Sequence, residues 1–174
     1  MEVPVVKIHK SSIVAFSVSI ALFMHLADTA AMATALPILA EELDSTPLRL
    51  KLLLTSYLIV SAIFIPISGW MADRWGARRI YMSTLLLFLL SSLLCAISNS
   101  FEQLLLARIC QGIAAGIMVP VSRIIVLSCT ERADLVRALN WYAIPAIVGP
   151  MLGPTIAGLM LEYASWRWIF AINI

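Results

Sequence analysis

The chain has 174 residues and a net charge of +2, and it is 61% hydrophobic but only 13% charged, about half the charged share of an average soluble domain. With a mean hydropathy of +0.97, this composition excludes a soluble globular domain. No basic stripe with interleaved aromatics is present, which excludes nucleic acid as a partner. The three cysteines, Cys95, Cys110 and Cys129, form no CxxC pair, so neither a disulfide framework nor a metal site is expected.

A hydrocarbon core about 30 Å thick is crossed by about 20 apolar residues of helix. The apolar runs predict an all-α membrane protein with five full transmembrane helices at residues 12–38, 51–72, 80–98, 102–127 and 138–161, and the start of a sixth at 168–174. Lys7 and Lys10 precede the first run, and Ala31-Met32-Ala33 has the spacing of a cleavage site. That run is too long for a signal peptide and four more spans follow, so it is expected to persist as the first helix. Basic residues set the orientation. Lys7 and Lys10, Arg74, Arg78 and Arg79 after span two, and Arg132 and Arg137 after span four all fall on one side. The other side carries Arg49 and Lys51 beside Glu41, Glu42 and Asp44, then Glu102, then Arg167. The N-terminus is therefore expected in the cytoplasm, with the chain in the plasma (bacterial inner) membrane. The loops are too short to hold a soluble catalytic site, and HExxH and GxSxG are absent, so no enzyme is expected.

A formal charge at the centre of a span costs at least about 2.5 kcal/mol. Span one carries Asp28 and span four carries Arg108. Asp28 lies nine residues before Pro37 and Arg108 six after Glu102. At about 1.5 Å per residue, both sit roughly 9–13 Å below the same membrane face. An ion pair and a shared water-filled cavity both fit that depth, and so does each group merely holding the chain folded. Because such groups mark ion and proton paths, they are the first candidates for function. Gln111, one turn after Arg108, extends the polar strip. His25 lies one turn before Asp28 on the same face. Its near-neutral titration suits a proton relay, although a packed or interfacial polar role suits it better.

After span two the chain reads Gly69-Trp70-Met71-Ala72-Asp73-Arg74-Trp75-Gly76-Ala77-Arg78-Arg79. Gly69 is expected to let backbones approach and Gly76 to permit a tight turn. Asp73 is expected to cap the next helix or to pair with an arginine. Arg74, Arg78 and Arg79 suit the negative end of span two and lipid phosphates. In span four, Gly112 and Gly116 form a small-xxx-small packing face. Span five holds Pro145, the pairs Gly149-Pro150 and Gly153-Pro154, and Gly158. The Gly-Pro pairs are expected to break its hydrogen-bond ladder and bend it, as in the interrupted helices of transporters.

Gly69 to Arg79 resembles the G-x-L-A-D-R-x-G-R-K pattern of the major facilitator superfamily, with Ala77 in place of its first basic residue. Leu104, Arg108, Gln111 and Gly112 are similar to that family's L-x-x-x-R-x-x-Q-G pattern. Gly149 to Gly158 resembles the G-x-x-x-G-P-x-x-G-G pattern of drug antiporters, with Ala157 for one glycine. Asp28 with Ala35-Leu36-Pro37 resembles the D-x-T-x-x-N-x-A-L-P pattern of the fourteen-span drug:proton antiporters, with Ala30 and Ala33 replacing Thr and Asn. Trp166-Arg167-Trp168-Ile169-Phe170 and Asn173 match the start of span six in that group. The resemblance implies the N-terminal half of a major facilitator helix bundle, at work in proton-coupled efflux of small hydrophobic or drug-like molecules. It implies proton coupling by Asp28 and Arg108 in a cavity shared with Gln111 and His25. It assigns gating to Gly69, Asp73, Arg74, Gly76, Arg78 and Arg79, and a kink that marks an exporter to Gly149, Pro150, Gly153, Pro154 and Gly158. The implied partners are the lipid bilayer, a small-molecule substrate and a missing C-terminal half, without which the chain is not expected to transport. The energy source would be the proton gradient, with no cofactor. The alternatives are a fragment of a proton-coupled solute symporter and a non-transporting membrane subunit assembled through its glycine faces.

Overall fold

A computed structural model describes the backbone of residues 10–43 and 45–174, and their side chains except those of residues 10–12 and Pro47. Lys7 and Asp44, which enter the orientation argument, lie outside the described residues, as does the side chain of Lys10. Among the described residues six helices follow in order: α1 (Lys10–Glu42), α2 (Pro47–Trp75), α3 (Ala77–Ala96), α4 (Phe101–Ser128), α5 (Leu135–Tyr163) and α6 (Arg167–Ala171), with a 3-10 turn at Arg132–Asp134. The first five are long and apolar enough to cross a membrane. Most overrun the apolar runs, because a helix continues past the hydrocarbon until a cap stops it. By contrast α3 stops at Ala96, where the Ser98 N–H turns back to the Cys95 carbonyl at 3.3 Å.

The caps are visible in the sequence. Thr46 Oγ1 accepts from the Arg49 N–H at 3.3 Å, with Pro47 in the first helical position, where its missing N–H costs nothing. Ser100 Oγ accepts from the Gln103 N–H at 3.3 Å, and Gln103 Oε1 accepts from the Asn99 N–H at 3.0 Å. That reciprocal arrangement is close to a capping box. Gly76 ends α2 and starts α3 with φ +89°, in the left-handed half of conformational space where a Cβ is strained. Gly76→Ala is therefore expected to cost about 1–3 kcal/mol, read as a lower melting temperature in detergent.

Large apolar side chains are exposed on all five long helices, among them Ile20, Ile63, Leu90, Leu106 and Ile147. A water-exposed surface of this kind would be an aggregation hazard. Against acyl chains it is the normal exterior, and the chain is an integral membrane protein. Because lipid is as apolar as leucine, helices associate there through close approach of small residues rather than through the hydrophobic effect. The hub is α4, the most buried of the five spans. It packs on α2, α3 and α1, while α1 packs along α5. Gly112 and Gly116 of α4 lie against the backbone of Tyr57 and Ser61 in α2, and Gly149 and Gly153 of α5 lie against the backbone of Phe23 and Ala27 in α1.

Span five differs from expectation. The helix runs unbroken from Leu135 to Tyr163 through Pro145, Pro150 and Pro154. Each proline lacks one donor, but Pro150 and Pro154 are exposed and displace no neighbouring helix. The buried face of α5 is the narrow stripe Ala138, Tyr142, Pro145, Gly149, Gly153 and Ala157. Gly149 and Gly153 thus serve close packing on α1 rather than a break, and Gly158 has open space where a Cβ would be.

Two apolar clusters fill the bundle. One takes Val18 and Ala21 of α1, Phe88 of α3, and Ala114 to Val126 of α4. The other takes Met32 and Leu39 of α1, Cys95 of α3, Leu104 and Ala107 of α4, and Trp166 and Phe170. On each of α1, α3 and α4 the residues between the two clusters include the buried polar groups Asp28, Ser92, Arg108 and Gln111.

Candidate functional site

The polar layer is built around one carboxylate. Arg108 Nη1 donates to Asp28 Oδ2 at 2.5 Å and to Gln111 Oε1 at 2.6 Å. Asp28 is 2% exposed and Arg108 fully buried, so both groups depend on protein partners rather than on water. Gln111 Nε2 donates to Ser92 Oγ at 2.7 Å and reaches Asp28 Oδ1 at 3.5 Å. The one-turn spacing of Arg108 and Gln111 on α4 puts both within reach of Asp28. The sequence left an ion pair and a shared cavity open at this depth, and the structure joins the two charges directly.

The guanidinium lies over the Tyr57 ring, 4.2 Å from its centroid, and 5.8 Å from that of Phe170, within the range of a cation–π contact. Its Nε and Nη2 are buried without a hydrogen-bond partner among the described residues. A single nitrogen, Nη1, meets Asp28, so the contact is not the two-nitrogen fork that makes arginine unique for carboxylates. What a lysine could not reproduce here is the stack on Tyr57 together with the second bond to Gln111.

Among the described residues, His25 makes no hydrogen bond to Asp28. Its Nδ1 lies 2.5 Å from the Tyr57 hydroxyl. Tyr57 therefore stands between His25 and the Arg108 guanidinium, a residue that the sequence did not single out. Ser92 and the amide of Asn173 were also missed as site residues. Asn173 Nδ2 donates to Asp28 Oδ1 and to Ser92 Oγ, both at 3.3 Å. A crevice of about 50 Å³ between α1, α5 and α6 reaches Asp28 and Asn173, lined otherwise by apolar residues such as Ala27, Gly153 and Ile169. It has room for one or two waters, far below the roughly 300–1,000 Å³ of a drug-sized site.

Span six is fastened at the Glu42 end of the bundle. Trp166 Nε1 donates to Glu42 Oε2 at 2.7 Å. Arg167 lies over the Trp166 ring at 4.5 Å and donates from Nη2 to the Ser98 carbonyl at 3.2 Å. This clasp joins α1, the α3–α4 turn and α6, and so fixes where Asn173 falls.

The loop residues stand apart from this layer, at the opposite end of the bundle. Arg74 sits over Trp70 and Trp75 at 5.7 and 5.9 Å. Asp73, Arg74, Gly76, Arg78 and Arg79 are all exposed. Asp73 belongs to the last turn of α2, does not cap α3, and forms no ion pair among the described residues. Gly69 has open space where a Cβ would be, so the expected close approach is not made within this bundle.

A lipid-embedded bundle held by glycine crossings, with a hydrogen-bonded Asp28–Arg108 contact enclosed in its centre beside a water-sized crevice, has the build of a membrane transporter segment rather than a packed anchor. The chain belongs to the Major Facilitator Superfamily, which it matches over residues 18–174. That family consists of transporters, not enzymes. Among its relatives are proteins named "Putative multidrug resistance protein MdtD" in Salmonella typhi, Salmonella paratyphi B and Salmonella typhimurium, each 43% identical over 157 residues, or 90% of this chain. The match covers 33% of each relative, so the chain spans about a third of their length.

Proposed function

We propose that this chain is the front part of a proton-coupled exporter of small hydrophobic or drug-like molecules. The observation that carries the reading is the enclosed Asp28–Arg108 pair between two apolar clusters. A buried charge pair is weak as a stabiliser, since desolvation offsets its attraction. Its presence at the centre of a lipid-embedded bundle is therefore better understood as function. Ionised Asp28 holds Arg108 through Nη1. When Asp28 takes a proton, the attraction falls and Arg108 is left to its remaining contacts with Gln111 and Tyr57. The helices that these two side chains tie, α1 and α4, are then free to shift relative to each other. Exit of the proton on the other side restores the pair. The naming of the MdtD relatives supports drug-like substrates.

In this reading the N-terminus is cytoplasmic in the bacterial inner membrane, and the proton gradient supplies the energy without a cofactor. Gly69, open in this bundle, together with exposed Asp73, Arg78 and Arg79, offers surface that a second set of helices would close. The loop from Gly69 to Arg79 acts there as the gating latch. The test is ethidium efflux from drug-sensitive bacteria expressing the full-length gene product. Efflux that stops when a protonophore collapses the gradient is expected. Efflux that survives the protonophore, or resistance without any efflux, would count against proton coupling.

A further inference from the structure

We propose that Asn173 is a positioning residue for the proton site, holding the Asp28 carboxylate from α6 and tuning the pH at which it exchanges its proton. This rests on the proton-coupled reading of Asp28.

The geometry gives Asn173 a part that no other residue has. Asp28 Oδ2 is taken by Arg108, and Oδ1 faces Asn173 at 3.3 Å and Gln111 at 3.5 Å. Arg108 and Gln111 both come from α4. Asn173 is the one ligand that comes from span six, just past the end of α6, and it is 5% exposed. Its amide has two N–H donors, and they meet Asp28 Oδ1 and Ser92 Oγ. Both donors are thus directed by an ionised carboxylate and a hydroxyl. The same amide also carries an acceptor. When Asp28 is protonated, a turn of the amide lets its carbonyl accept from the new O–H, so span six can follow either state of the carboxyl group. Asp28 and Asn173 share the water-sized crevice, which is where a proton would arrive as hydronium and leave to water.

The charged and titratable groups around Asp28 are few. Arg108 faces it from α4, His25 lies one turn earlier on α1, Tyr57 comes from α2, and Cys95 from α3. The crevice wall from α5 is Gly153, Ile156, Ala157 and Met160, and α6 adds Ile169. Neither helix places a charged side chain on the crevice wall, and the direct contact of span six with the carboxylate is the Asn173 amide.

A donor to a carboxylate favours its ionised form. In the full-length gene product reconstituted in liposomes, Asn173→Ala is therefore expected to move the pH of half-maximal ethidium–proton exchange upward by about one unit. Asn173→Ser keeps a shorter donor and is expected to move it upward by less. If Asn173→Ala does not accumulate in the membrane, Asn173→Ser decides. A residue that only packs would lower the amount of active protein without moving the midpoint. An unchanged midpoint in whichever variant is folded would overturn the proposal while leaving the role of Asp28 intact. Wild-type exchange without any pH dependence would instead overturn the proton-coupled reading itself, and this inference with it.

Discussion

Gly116→Ala is expected to be the most damaging of the small substitutions in this chain. A Cβ at Gly116 would lie 2.4 Å from the Ser61 carbonyl oxygen and 2.9 Å from the Ser61 Cα. Those are backbone atoms of α2 and cannot swing aside as a flexible side chain can. The helices must separate along their whole contact, and overpacking of this kind costs about 1–3 kcal/mol or more. Because α2 has little other enclosure in this bundle, the loss falls on the α2–α4 crossing that also presents Tyr57 to Arg108. Gly112→Ala, with the Tyr57 carbonyl at 2.8 Å, is expected to follow in the same direction. Gly158→Ala is the control. Its Cβ meets nothing within 4 Å, and replacing a helical glycine by alanine gains about 0.5–1 kcal/mol. Thermal unfolding of the detergent-solubilised variants checks the ordering. A Gly116→Ala protein as stable as Gly158→Ala would mean that α2 and α4 do not meet at this point.

Removing Arg108 has the second large effect. In Arg108→Ala the Asp28 carboxylate would be left buried without its countercharge, at a cost of about 3–5 kcal/mol if it stayed ionised. A lone buried carboxylate escapes that cost by keeping its proton. The variant is therefore expected to fold with Asp28 neutral and to have lost proton release. Infrared difference spectra would show a protonated carboxyl band that persists at neutral pH and vanishes in the Arg108→Ala, Asp28→Asn double variant. Arg108→Lys is expected to be impaired for a different reason. An ammonium can still meet Asp28, but it is a point charge, without the planar face that lies over Tyr57. Wild-type exchange in Arg108→Lys would mean that charge alone matters at this position.

The part of the site carried by formal charge was legible in the sequence, because a charge in an apolar run has few explanations. Asp28 and Arg108 stood out for that reason, and their depths along two helices brought them to one level. Gln111 followed from helical spacing. Ser92 did not stand out, since Ser91 beside it is equally buried and equally compatible with an apolar span. Tyr57 reads as one more aromatic until its hydroxyl is seen at His25 and its ring under Arg108. Asn173 was visible as part of a pattern but not as a ligand, since its partner lies 145 residues away. The Glu42–Trp166 clasp spans 124 residues and has no local signal.

The glycines divide along the same line. Gly112 and Gly116 were readable because small residues four apart describe one helix face. Gly149 and Gly153 suggest a kink in the sequence because proline follows each of them. Their packing role depends on where α1 passes, which local sequence does not encode. Asp73 sits in a motif suited to capping, yet the turn at Gly76 ends α2 after Trp75, leaving the carboxylate on the wrong helix to cap α3.

In the proposed mechanism Asp28 exchanges a proton against substrate. The full-length gene product in liposomes loaded with a pH-sensitive dye tests it directly, with ethidium added on one side and both fluxes followed. Ethidium and protons are expected to move in opposite directions in the wild type, with the proton flux lost in Asp28→Asn. Ethidium movement with no proton flux in the wild type, or the same opposed fluxes in Asp28→Asn, would contradict it.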